Sequence, residues 1–210
     1  MMPEYFVTEN GLRLAYERVG KGPALVLVHG GFVDRSAWVR LMPLLTADFT
    51  VYAVDRPGHG DSDAYPSDAT FSTEALALAE FVGSLAQSVY LVGHSSGARV
   101  ALHAAQHLSN VRRLALYEPP AFQPLSAELK AQISAASAAA DREQLAWLAV
   151  SGVIGESTGE RFPLDVLKQS PMWATLYRNA LSVPTEAAIY DRYEFDAAAF
   201  AGFAIPTLLL

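Results

Sequence analysis

The chain has 210 residues, a formal net charge of −7, 51% hydrophobic residues and no cysteine. That length suits one domain with a sizeable core, and the apolar share is that of a globular chain. Disulfides, a thiolate nucleophile and thiolate metal sites are excluded, and the acidic balance argues against a nucleic-acid partner, whose phosphates need a basic face.

The N-terminal stretch MMPEYFVTEN has no basic n-region and no apolar h-region, and the longest apolar runs are strand-sized. The expectation is a cytoplasmic chain with no membrane partner. YFVTEN and LRLAYERVG flank Asn10-Gly11, which predicts a β-hairpin with a type I′ turn. ALVLVH (24–29) is a continuous apolar run, as a strand buried on both faces requires. Ser36 is the predicted cap of a helix over Ala37–Leu45. FTVYAVD (49–55) is the next buried strand, followed by the loop RPGHGDSDAYPSD. Asp55 is expected to pin that loop through side-chain-to-backbone bonds. Ser72 is the predicted cap of a helix running to about Leu85, with Glu74 favourably placed in its first turn. SVYLVGH (88–94) predicts a third buried strand, Ser96–His107 a helix and VRRLALYE (111–118) a fourth strand. Apolar strands alternating with helices predict an α/β fold with a mostly parallel sheet flanked by helices.

After Pro119-Pro120 the rhythm changes. Residues 121–203 hold helix-length segments and no strand pattern, and a buried strand is expected to begin at Ile205. The expected organisation is a core over 1–120, a helical insertion over 121–203 and the start of a further core strand over 204–210.

The sequence Gly93-His94-Ser95-Ser96-Gly97 lies where the third buried strand meets a helix. A side chain at the apex of a tight strand-to-helix turn is pushed out above the carboxyl edge of the sheet. The flanking positions approach other backbone and must be small, which Gly93 and Gly97 satisfy. At a helix N-terminus, free N–H groups favour developing negative charge, so the Ser96 N–H is placed for an oxyanion. A second glycine-framed turn, His29-Gly30-Gly31-Phe32, follows the strand ALVLV and offers the other donor. Gly31 is the first choice for it and Phe32 the alternative.

Those pieces, with VDRPGHGDS (54–62) and the LALYEPP end of strand 111–118, resemble the cap-bearing α/β-hydrolases. That group includes small esterases, carbon–carbon bond hydrolases and cofactor-free haloperoxidases. The resemblance covers residues 5–120, and over 121–204 it rests on the position of the helical insertion as a cap. It implies Ser95 as nucleophile, Gly31 and Ser96 as the oxyanion hole, and no metal or organic cofactor. Relatives that open epoxides or displace halide carry Asp at the nucleophile position; Ser95 favours acyl chemistry.

A serine nucleophile needs a base within hydrogen-bond reach. The five histidines are His29, His59, His94, His103 and His107, and none follows residue 107. His29 and His59 read as braces of their turns, His94 is turned away from the Ser95 hydroxyl by backbone geometry, and His103 and His107 sit on the helix after the elbow. In this family's order the acid and then the histidine follow the serine. The expectation is therefore that the base lies beyond residue 210, that the 210 residues are a truncated form, and that such a form turns over little substrate and is marginally stable. Glu118 has two readings, catalytic acid or pocket residue at the cap hinge.

The substrate pocket is expected to involve Phe32, Trp38 and His94; of the ten aromatics of 121–204, from Phe122 to Phe203, most are expected to pack cap helices against the sheet and a few to face the serine. An apolar pocket suits a small hydrophobic ester, lactone or ketone. The alternative from another class is a non-catalytic member of the fold that binds a small ligand. Nothing in the sequence fixes the oligomeric state.

Overall fold

The computed structural model describes residues 2–85, 87–121 and 124–210; Phe122 lies outside them. Seven strands form one sheet in the order β1-β2-β4-β3-β5-β6-β7: β1 (Glu4–Val7), β2 (Arg13–Gly20), β3 (Ala24–Val28), β4 (Thr50–Val54), β5 (Val89–His94), β6 (Val111–Tyr117) and β7 (Thr207–Leu209). β1 and β2 run antiparallel to each other and β2 to β4; every other pairing is parallel. This is the mostly parallel α/β architecture expected from the alternating runs.

The central strand β3 is buried at all five positions. Its neighbours β4 and β5 are reached by connections that leave to opposite sides of it. The chain therefore reverses direction across the sheet at β3, and in open α/β sheets the carboxyl ends of the strands at such a point are where ligands bind. Leu25 and Leu27 of β3, Val51 and Ala53 of β4 and Met42 form one core cluster, joined by Trp38, Tyr90 and Val92.

Three local expectations are corrected. The β1–β2 connection is not a type I′ turn: Gly11 has φ +86 but Asn10 is absent from the positive-φ residues, and the Gly11 amide donates to Thr8 O at 2.9 Å. That is a type I turn closed by a left-handed glycine. The segment after Ser36 is not one helix. Asp34, not Ser36, caps a 3₁₀ turn over Arg35–Trp38, accepting the Ser36 N–H at 2.9 Å. A separate short helix, α1 (Met42–Leu45), restarts at the proline in its first turn. Helix α2 (Phe71–Ser84) is capped by Thr70 rather than Ser72, in a reciprocal box with Thr73.

α3 (Ser96–Ala105) stops two residues short of the predicted end. β7 forms as expected beside β6, and Leu208 and Leu209 on it are exposed. The structure divides into two compact units, residues 1–120 with 195–210, and residues 121–194. In the first, Phe195 and Phe200 stack on each other and both meet His103 of α3 edge-on.

The described elements of the second unit are all helical: α4 (Ala127–Ala138), α5 (Arg142–Trp147), a π-helical turn over Leu148–Ile154, α6 (Gly155–Thr158), α7 (Leu164–Lys168), α8 (Trp173–Asn179), a 3₁₀ turn over Ala180–Ser182 and α9 (Val183–Asp191). Leu129, Ile133, Leu145, Leu148, Leu176 and Ile189 make its core. Asp191 ties its ends together, accepting from the Leu125 amide at 2.7 Å and pairing with Lys130. No described helix is long and apolar enough to cross a membrane.

Candidate active site

The turn from β5 into α3 is as tight as its glycines suggest. Ser95 sits at φ 52, ψ −127, a backbone conformation that costs an L-residue on the order of 1–3 kcal/mol. The surrounding backbone holds it there: the Ser95 amide donates to Tyr117 O at 2.8 Å, and its carbonyl accepts from the Ala98 amide at 2.9 Å. A methyl group on Gly93 would collide with Gly97 O and stand 2.5 Å from Ala98 Cα. One on Gly97 would collide with His29 O and stand 2.7 Å from Val28 O. Helix α3 thus lies directly against the end of β3. Among the described residues, the Ser95 hydroxyl has no hydrogen-bond partner.

The loop after β3 comes up beside this serine. A methyl on Gly30 would lie 3.2 Å from Ser95 Cβ and 3.2 Å from His94 Nδ1. Gly31 follows at intermediate exposure, and Phe32 takes φ 63 with its side chain 2% exposed. Ser96 is buried, with the first-turn amide of α3 left without an intrahelical acceptor. Gly30, Gly31, Ser95 and Ser96 are therefore brought together at the carboxyl ends of β3 and β5.

The histidines fall into separate roles. His29 is fully buried; its Nε2 accepts the Arg56 amide at 3.0 Å, which leaves the proton on Nδ1 to donate to Gly30 O at 2.7 Å. Burial, with the charges of His59 and Arg56, keeps its pKa well below the ordinary value of 6.5, so it is a neutral brace. His59 Nδ1 lies 2.8 Å from Pro57 O and its ring meets His29 edge-on. His103 lies among Phe71, Phe195 and Phe200, and His107 stands just past the end of α3.

His94 is the histidine nearest the elbow in sequence and faces another way. Its ring leans on Tyr117 and meets Trp38 edge-on, and its Nε2 is 3.8 Å from Glu118 Oε2. Burial lowers its pKa, and the Glu118 carboxylate acts against that shift. Glu118 itself has φ 50 and an exposed side chain, with its amide donating to Leu210 O at 2.9 Å. The structure brings Glu118 to His94. Among the described residues it brings no histidine into hydrogen bonding with Ser95.

Asp55, at the end of β4, is buried and accepts from the Arg35 amide at 2.7 Å and the Asp61 amide at 2.9 Å, besides pairing with the Arg35 guanidinium. It pins the 56–62 loop, and Gly60, at φ +55, leaves room for its carboxylate.

One residue that the sequence reading did not single out is central here. Arg56 is 2% exposed and its guanidinium reaches Glu74, Gly30 O and Ser96 Oγ. An arginine in a Gly/Pro/Asp loop reads as solvated. The available signal was its partner: Glu74 sits between Phe71 and Leu78 on the buried face of α2, where a carboxylate needs a cation.

The alpha/beta hydrolase family model matches residues 25–210. An N-formylmaleamate deformylase of Pseudomonas putida is 38% identical over 123 residues, which is 56% of this chain and 46% of that protein. The match thus spans about half the length of that relative. An alpha/beta hydrolase from Sphaerobacter thermophilus superposes with a TM-score of 0.82 at 30% identity, covering 98% of this chain and 80% of that one. The enol-lactonase from Burkholderia xenovorans superposes with a TM-score of 0.75 at 19% identity, covering 98% and 80%, a likeness of fold.

Proposed function

The chain belongs to the alpha/beta hydrolase family, and from that premise we propose that it is a serine hydrolase acting on a small hydrophobic ester, lactone or related carbonyl compound. The observation that carries the reading is the backbone of Ser95, held at φ 52 on the strand-to-helix apex, where its side chain makes no cap hydrogen bond to α3. Strain of this kind persists where the surrounding fold enforces it, and it presents the hydroxyl above the sheet edge.

In this reading Ser95 Oγ attacks the substrate carbonyl carbon as its proton passes to a histidine base. The carbonyl oxygen becomes an oxyanion held by the amides of Gly31 and Ser96. Collapse of the adduct breaks the bond to the leaving alcohol, which takes the proton back from the base, and water then hydrolyses the acyl-enzyme by the same steps. By the serine, acid, histidine order of the family the base is assigned to a histidine beyond residue 210; of the five histidines here, His29 and His59 are engaged in bracing, His94 faces Glu118, His103 lies among phenylalanines and His107 stands past the end of α3. Glu118 is assigned to hold His94 beside the pocket rather than to serve as the acid. The deformylase named above supports carbonyl hydrolysis as the reaction class.

The test, made on a full-length form that includes the assigned base, is labelling by a fluorophosphonate probe together with hydrolysis of p-nitrophenyl acetate. The expected result is a probe adduct on the Ser95 peptide and loss of both signals in Ser95→Ala. A Ser95→Ala protein that hydrolyses the ester as fast as its parent rules the reading out. A second reading, a non-catalytic ligand-binding member, is favoured by one observation: among the described residues no histidine bonds to Ser95. Resistance to the probe combined with measurable binding of a hydrophobic ester would establish it instead.

A further inference from the structure

Arg56 Nη1 lies 3.0 Å from Gly30 O and 3.0 Å from Ser96 Oγ. One nitrogen thereby joins the loop after β3 to the first residue of α3. The rest of the guanidinium is fixed from the far side: Nε and Nη2 each lie 2.7 Å from Glu74 Oε2. Glu74 Oε1 in turn accepts from Tyr65 OH at 3.0 Å. Arg56 and Glu74 are both essentially sequestered, with side chains 2% and 0% exposed.

The Gly30 carbonyl accepts two hydrogen bonds, from Arg56 Nη1 and from His29 Nδ1 at 2.7 Å. Both of its lone pairs are used, so the Gly30–Gly31 peptide plane cannot turn without breaking bonds in a buried site. There is no cis peptide among the described residues, and a trans peptide carries its N–H antiparallel to its carbonyl. The Gly31 N–H therefore points away from the guanidinium. On the other loop, drawing Ser96 Oγ inward to Arg56 fixes the residue whose amide is the second donor.

We propose that the Arg56–Glu74 pair is the positioning device of the oxyanion hole, orienting the Gly31 and Ser96 amides from below through Gly30 O and Ser96 Oγ. This rests on the serine-hydrolase reading. Arg56 touches no reacting atom; it acts through the two loops. A guanidinium suits the task because its planar fork serves three acceptors in fixed directions, whereas an ammonium is a compact point charge at the end of a flexible stem.

Three variants of a full-length form that includes the assigned base test it: Arg56→Lys, which keeps the charge; Ser96→Ala, which removes one acceptor and keeps the backbone amide; and Ser95→Ala as the reference for the reading itself. With p-nitrophenyl acetate, kcat is expected to fall about 10–100-fold in Arg56→Lys and about tenfold in Ser96→Ala, with KM within about two-fold of the parent. A crystal structure of Arg56→Lys reads the same point without turnover, and the Gly30–Gly31 peptide is expected to be rotated in it. If Ser95→Ala is inactive but both other variants keep the parental kcat, or change KM alone, the positioning role is overturned and the serine-hydrolase reading survives. An unrotated Gly30–Gly31 peptide in Arg56→Lys overturns it as well. If Ser95→Ala retains full activity, the reading and the role built on it fail together.

Discussion

The amide of Ser95 donates to the carbonyl of Tyr117 at 2.8 Å. This bond ties the apex of the β5–α3 turn to the end of the neighbouring strand β6. It helps to hold a non-glycine residue at φ 52, ψ −127, where only glycine is at ease.

Ser95→Gly is therefore expected to stabilise the protein while removing the proposed nucleophile. Relief of the strain contributes about 1 kcal/mol, which corresponds to roughly 2–4 °C in Tm for a chain of this size. Thermal melts of parent and variant check it. A Tm that falls in Ser95→Gly would show that the backbone there is unstrained and that the serine side chain stabilises the fold.

Gly97→Ala acts in the opposite direction. The added methyl would collide with the His29 carbonyl and stand 2.7 Å from Val28 O, both at the end of the fully buried strand β3. Backbone atoms of a central strand cannot swing aside as a side-chain tip can. The variant is expected to lose on the order of 2–4 kcal/mol or fail to fold, read by urea denaturation. Gly11→Ala is the comparison at a site with open space, where the cost is the left-handed backbone alone, about 1 kcal/mol.

Much of this arrangement is legible in the sequence, and the reasons differ from element to element. β3, β4 and β5 are readable because strands covered on both faces are written as unbroken apolar runs. The elbow is readable because its glycines are demanded by backbone approach, which leaves no other residue. The caps Thr70 and Asp34 are not legible because each lies among several residues able to cap, in AspAlaThrPheSerThr and AspArgSer. The choice among them is made by where the chain turns, not by the side chain. Arg56 escaped because burial of a loop arginine depends on Glu74, 18 residues away and on another element.

Asp55→Ala is expected to cost about 2–4 kcal/mol. The Asp55 carboxylate is buried and accepts the amides of Arg35 and Asp61 as well as the Arg35 guanidinium. Removing it leaves those donors short of an acceptor and frees the 56–62 loop, which carries Arg56. Asp55→Asn keeps one acceptor oxygen and is expected to lose less. Denaturant titration of both variants gives the comparison; equal stability of Asp55→Ala and the parent would mean that the loop is held by other contacts.

Acid should destabilise the protein from about pH 6.5 downward. Burial lowers the pKa of His29, His94 and His103 from the ordinary 6.5, most strongly for His29. Below pH 6.5 the unfolded chain takes up protons at these residues that the folded chain does not, so stability falls as pH falls through the window between each folded pKa and 6.5. Their stabilising effect is complete above that window. Asp55 has the opposite sign: burial raises its pKa above 3.8, so its contribution is full below 3.8 and is lost as pH rises through its folded pKa. That window lies at the acid end, where it offsets part of the histidine effect. The measurement is Tm or denaturation midpoint between pH 8 and pH 5. A flat profile over that range would mean that His29 is protonated in the folded state, which its acceptor role toward the Arg56 amide at Nε2 forbids. His29→Gln should shallow the slope, since the largest of the three lowered groups would then be gone.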